Sequence, residues 1–142
     1  MLKKLITAAA LLSFTLGMGA AYAEDKLKVG FINVGPKNDG GWTEGHWAGA
    51  EMLEHALGDK VEVTFIEDIK EGPDAERAIE ALARAGNGLI FTTSFGFMDP
   101  TLKVAERFPD VKFEHATGYK TAENVTSYNA RFYQGRYIIG QL

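Results

Sequence analysis

Two segments of this 142-residue chain carry side chains suited to holding a flat ligand, and none carries a set suited to transforming one. The first, Gly35–Trp42, reads Gly-Pro-Lys-Asn-Asp-Gly-Gly-Trp. It is rich in glycine but has neither G-x-G-x-x-G nor G-x-x-x-x-G-K-[ST]. A dinucleotide or a triphosphate is therefore not indicated, and no cofactor is expected. Asp39 stands just before an expected helix start, where a carboxylate would repel a phosphate. A neutral or cationic ligand fits better. Asp39 reads equally as the helix N-cap. Trp42 opens the helix, where its ring can project into a cleft and stack on a flat ring, at ~1–3 kcal/mol per base. Its other reading is a core or staple residue.

The second segment, Ser94–Asp99, reads Ser-Phe-Gly-Phe-Met-Asp. It places two aromatics and a methionine where a loop is normally polar. An apolar concavity with few polar groups is the usual form of a small-molecule site. Ser94 and the backbone around Gly96 can hydrogen-bond ring heteroatoms, with Phe95 beside them. Phe97 and Met98 can equally pack under the sheet edge, and Asp99 reads as a helix cap.

Catalytic constellations are poor. There is no cysteine, and Ser94 does not lie in G-x-S-x-G. His46 and His55 lack the i, i+4 spacing of a helical metal pair. His115 ends an expected strand beside Glu114 and can reach a cleft, but single histidines of this kind are usually satisfied structural groups. No catalytic residue and no metal ligand is assigned.

The elements that must position these loops alternate in type. Lys28–Val34, Val61–Phe65, Gly88–Thr93, Val111–Ala116 and Val125–Asn129 read as strands, the second an edge strand by its period of two. Trp42–Leu57 has His46, Ala50, Leu53 and Leu57 on one helical stripe, and Gly58 suits its stop. Pro73 suits the first position of a second helix, with Ala75, Ile79, Leu82 and Ala83 on its stripe. Asp99-Pro100 predicts the N-cap and first residue of a third helix, ended by Pro109. Strands alternating with helices predict a doubly wound α/β domain with a mainly parallel sheet. Ligands on such sheets bind outside the carboxyl ends of the strands. That rule collects Asp39, Trp42, Ser94, Phe95, Gly96, Tyr119, Asn129 and Arg131 as candidate ligand contacts.

The chain ends bear on compartment. Lys3-Lys4, an apolar run over Leu5–Leu16 and Ala21-Tyr22-Ala23 form a basic region, a hydrophobic region and an A-x-A cleavage site. The apolar run is short of the ~20 residues that span a bilayer. Residues 1–23 are read as a signal peptide and 24–142 as the mature lobe, exported to the periplasm. Without Lys3 and Lys4, thirteen bases face nineteen acids, a net charge of −6. No basic patch is visible, so nucleic acid and anionic membrane are not expected partners. The last residues, Phe132–Leu142, read as a helix beginning, which suggests a sequence truncated at its C-terminus.

Several runs resemble the basic membrane protein (BMP) group of ABC-transporter solute-binding proteins: Lys28–Gly35, Asp39–Trp42, Gly88–Pro100, Phe108–Tyr119 and Tyr128–Tyr137. The resemblance covers nearly all of the mature chain. It implies a type I periplasmic-binding fold, with two α/β lobes closing on a purine or purine nucleoside and a permease and ATPase as partners. This chain would supply the first lobe only; the second is missing. The resemblance also implies a base-stacking aromatic at Trp42. Many nucleoside-binding relatives have Phe-Asn where this chain has Trp42-Thr43, and some are lipoproteins, whereas this chain has no cysteine to carry a lipid. The reading is an importer's binding protein. The rivals are a periplasmic sensor of the same fold and a secreted nucleoside hydrolase using Asp39 or His115.

The cleavage site generates a direct expectation. The mature N-terminus is Glu24, because small residues occupy Ala21 and Ala23. N-terminal sequencing of the periplasmic protein checks it, and an uncleaved chain in the membrane fraction would count against it.

Overall fold

The apolar residues of the sequence alternate along short β-branched runs and then recur at helical spacing, and the chain folds accordingly. The structure, a computed structural model, describes residues 25–142; the predicted signal peptide, residues 1–23, lies outside the described residues. In order come β1 (Leu27–Ile32), α1 (Trp42–Leu57), β2 (Val61–Ile66), α2 (Pro73–Arg84) and β3 (Leu89–Thr92). Then follow α3 (Met98–Arg107), β4 (Lys112–Ala116), β5 (Val125–Tyr128) and α4 (Phe132–Ile139). The strands form one sheet in the order β2-β1-β3-β4-β5, with every pairing parallel. The order reverses between β1 and β3, which makes their carboxyl ends the switch point of the sheet.

Each face of the sheet has its own core. Val29 and Phe31 point toward α1 and pack with Ala50 and Val61. Ile32, Ile90, Phe113 and Val125 point the other way, against Ile79 and Leu82 of α2 and Val104 of α3. The α2 stripe of Ala75, Ile79, Leu82 and Ala83 is buried as its spacing predicts. Glycine at position 30 leaves room for the Leu82 side chain where α2 crosses β1; a Cβ there would force that side chain to shift. No helix among the described residues is long and apolar enough to cross a membrane.

Two local expectations need correction. A 3-10 turn over Phe95–Phe97 starts the third helix early, at Met98, so Asp99 lies in its first turn and is not the cap. Asp99 pairs with Lys120 at 2.8 Å. Phe97 and Met98 both enter the core, and this burial sets the helix start. On α1, Leu57 is 41% exposed and Thr43 is fully buried, so the buried stripe is rotated toward the helix start.

Asn124, which the sequence places in an Asn-x-Thr pattern, is a structural clasp. Its side-chain amide donates toward the carbonyls of Ala105 (3.2 Å), Phe108 (3.1 Å) and Val111 (3.0 Å). These lie at and beyond the end of α3, where the Ala105 and Phe108 carbonyls also accept from the N–H groups of Phe108 and Val111, so the amide ties the helix end to the turn before β4. Asn124→Ala should lower stability by ~0.5–1.5 kcal/mol per hydrogen bond lost, since the Ala105 and Phe108 carbonyls keep their backbone partners. Asn124→Asp should be worse at neutral pH, because it sets a carboxylate against three carbonyl oxygens. Urea unfolding of the three proteins checks the order; an Asp variant as stable as the parent would refute the clasp.

Candidate functional site

The loop from β1 to α1 is set by Asp39. Its carboxylate accepts hydrogen bonds from the backbone N–H groups of Thr43 and Gly41, each at 2.8 Å, and of Glu44 at 3.1 Å. These donors, Thr43 foremost, hold its pKa down to about 2. Glu44 returns the favour by accepting from Gly40 N–H at 2.9 Å. Gly40 has a φ of 71°, a left-handed turn that suits glycine. The start of α1 is thus fixed, and with it Trp42. The half-buried indole donates its N–H to the carbonyl of Thr93 at 2.5 Å. Thr93 follows β3 and bonds Ile32 and Asn33 at the end of β1. Trp42 therefore sits on the switch point of the sheet.

Beside it lies a pocket of about 320 Å³. Its walls come from Trp42, Gly45 and His46 of α1, from Ala116 and Tyr128 at the strand ends, and from Phe132 of α4. Gly41, Asn129 and Ala130 complete the lining. The ring of Trp42 stands 4.8 Å from that of His46 and 5.7 Å from that of Phe132. His46 reaches both the Trp42 carbonyl (2.8 Å) and the Tyr128 hydroxyl (3.0 Å). An apolar, aromatic wall with a few fixed polar atoms can hold a flat ring.

Of the sequence-predicted residues, only Trp42 and Asn129 line this pocket. Asp39 is at its margin, with both carboxylate oxygens engaged by the helix start. Arg131 is exposed on the far side of the β5–α4 loop. Ser94, Phe95, Gly96 and Tyr119 form a separate group. Phe95 and Tyr119 are exposed, with ring centroids 6.2 Å apart. Ser94 Oγ and Gly96 N–H both donate to Glu71, at 2.5 and 3.1 Å. Glu71 thus ties the loop after β2 to the loop after β3, and a Cβ at Gly96 would collide with it.

Sequence reasoning missed His46, Tyr128, Phe132 and Glu71. His46 did carry a signal, since it lies one helical turn from Trp42; nothing local singles out Glu71. His115 is fully buried and bonds Thr92 through Nδ1 at 2.9 Å. Burial lowers its pKa, and Gly118 covers its ring. Among the described residues no group of three or more His, Asp or Glu side chains could hold a metal ion.

Residues 26–142 match the Bmp family, described as ABC transporter substrate-binding protein, PnrA-like. The chain is 68% identical over 127 residues to a purine-binding protein of Brucella abortus (strain 2308), covering 89% of this chain and 36% of that one. It is 35% identical over 117 residues to a Haloferax volcanii protein named as an ABC transporter glucose-binding protein, covering 82% of this chain and 29% of that one. The chain thus spans about a third of the length of the curated relatives it matches. Among solved structures it is similar to an ABC transporter solute-binding protein of Conexibacter woesei, with a TM-score of 0.68 and 30% identity, covering 80% of this chain and 38% of that one. With family, relatives and fold in agreement, the chain belongs to the Bmp family of ABC transporter substrate-binding proteins, a family named for binding and not for catalysis.

Proposed function

We propose that this chain is the first lobe of an exported solute-binding protein, which takes a purine base or nucleoside between two lobes and delivers it to an ABC permease and its ATPase. The observation that carries this reading is Trp42. Its N–H is engaged by Thr93, so the indole offers a fixed ring face at the switch point, beside an aromatic pocket. A held π-face is what stacking on a base requires. The relative that shares 68% identity is named for purine binding, which favours purine over the sugar named for the relative at 35%. On this reading residues 1–23 direct export to the periplasm, and the exposed residues Phe95 and Tyr119 face the second lobe.

Titration calorimetry of the two-lobed protein against adenine, hypoxanthine, guanine, their nucleosides and glucose tests the ligand class; tight glucose binding with no purine binding would overturn it. Trp42→Ala should weaken purine binding by ~1–3 kcal/mol, the value of one stacked base. Trp42→Phe should be much milder because a π-face remains. Stability must be measured beside affinity. If Trp42 serves only the core, the Ala variant melts at a lower temperature while its folded fraction binds purine as tightly as before. The 119 residues from Glu24 to Leu142 should bind purine at least a hundredfold more weakly than the two-lobed protein, a loss of ~2.7 kcal/mol. Equal affinity of the lobe alone would defeat the two-lobe reading.

A further inference from the structure

Three side chains that line the pocket carry one donor each in their neutral forms, and the fold spends all three within the pocket wall. Trp42 donates its indole N–H to the Thr93 carbonyl. His46 Nδ1 lies 2.8 Å from the Trp42 carbonyl. A carbonyl can only accept, so Nδ1 carries the proton. In a neutral imidazole Nε2 then holds a lone pair. The partner of Nε2 is the Tyr128 hydroxyl at 3.0 Å, which must therefore donate. Burial, with Glu114 nearby, raises the Tyr128 pKa well above the ordinary phenol value, so the hydroxyl keeps its proton.

Two backbone donors of the α1 wall are spent as well. The N–H of Gly41 goes to Asp39 at 2.8 Å and that of Gly45 to the Gly41 carbonyl at 3.0 Å. No lysine or arginine lines the pocket, so an anion finds no cation there. What the lining side chains of α1 and β5 still offer is π-faces and the remaining lone pairs of the Tyr128 oxygen. Asn129, exposed at the rim, retains a side-chain amide donor.

We propose that this donor-depleted pocket selects flat heteroaromatic ligands by the N–H groups on their edge, with the Tyr128 oxygen as acceptor and His46 as the positioning residue that fixes the direction of the Tyr128 hydroxyl. The proposal rests on the purine reading above and adds a preference within it: an amino-bearing base over one that presents only lone pairs at the same position.

Two measurements test it. Long-range ¹H–¹⁵N correlation spectra of the chain should show His46 protonated at Nδ1 and bare at Nε2; a ring protonated at Nε2 alone overturns the proposal. Calorimetry of the two-lobed protein should then compare adenine with 6-methoxypurine, which replaces the amino donor by an acceptor. The wild type should prefer adenine by at least about tenfold, since a site that accepts from a ligand N–H discriminates against its absence. Tyr128→Phe should abolish that preference while both bases still stack on Trp42. His46→Leu frees the hydroxyl proton and should shift the ratio toward 6-methoxypurine. His46→Gln, whose amide oxygen can again accept from Tyr128, should restore the preference for adenine. Equal binding of the two bases by the wild type, or an adenine preference that survives both Tyr128→Phe and His46→Leu, overturns this proposal alone. Failure of the wild type to bind either base overturns the purine reading and this proposal with it.

Discussion

A row of aromatic rings across the sheet fixes where everything else can go. Phe65 of β2, Phe31 of β1 and Phe91 of β3 occupy one register line on the α1 face. Phe31 and Phe91 stack at 4.6 Å, and Phe31 and Phe65 meet at 5.8 Å. Cross-strand aromatic pairs of this kind add ~0.5–1.5 kcal/mol each beyond the area they bury. Slipping one strand by a residue would turn its ring to the opposite face, so the row also locks the register. Trp47 of α1 packs edge-on against Phe65 at one end, and Tyr128 packs edge-on against Phe91 at the other. Helix α1 is seated on this row by Ala50 and Leu53, which leaves its first turn over the carboxyl ends of β1 and β3. The place of Trp42 is a consequence of how the rings below it pack.

The second layer of control is polar and lies along the same edge of the sheet. Asp39 clamps the start of α1, Thr93 joins the ends of β1 and β3, and Glu71 ties the loops after β2 and β3 together. Farther along, Thr92, His115 and Thr101 form a buried chain on the α3 side, with Thr101 close to the Phe97 carbonyl at 2.7 Å. That chain supports Gly118, which lies against the His115 ring and whose carbonyl accepts from Ser127 at 2.5 Å. Loops held at several points lose little further conformational freedom when a ligand arrives, and that saving appears as affinity. The same bonds make several candidate contacts poor donors. Ser94 and the Gly96 N–H already serve Glu71, and a ligand would have to displace it to use them.

The faces of the sheet are unequal. Helices α2 and α3 cover one side, joined at their outer edges by Glu76 and Glu80 with Arg107. These exposed pairs contribute little to stability; the buried stripes of the two helices carry that side. On the other side α1 covers β1 and β2, while α4 touches the rest mainly through Phe132 and Trp42. Tyr133, Tyr137, Ile138 and Ile139 remain exposed on α4. The pocket forms in the angle between these two helices, because both begin at the carboxyl edge and neither fills the space above β4 and β5.

The sequence by itself determined what depends on local pattern. Helix α1 begins at Trp42 and α2 at Pro73 as read, the stripe of α2 is buried residue for residue, and five strands form a parallel sheet, the first four of them separated by helices. These follow from periodicity and from the stereochemistry of proline and glycine, which act within a few residues. Trp42 was legible as a candidate because it stands at a helix start after a strand, and it does line the pocket. Its partners were not, because each pairing joins distant points of the chain: the indole bonds a carbonyl 51 residues away, and His46 a hydroxyl 82 residues away. The start of α3 was misplaced because the burial of Phe97 and Met98 outweighed the local signal of Asp99-Pro100. That Asp39 holds the start of α1 was one of its two sequence readings, since its bonds reach only residues 41, 43 and 44; tertiary structure alone decided that Glu71 engages Ser94 and which way the side-chain donors of the pocket point. A hydrogen bond has a direction only once both partners are in place, and their placement is set by packing between segments that have no contact in sequence.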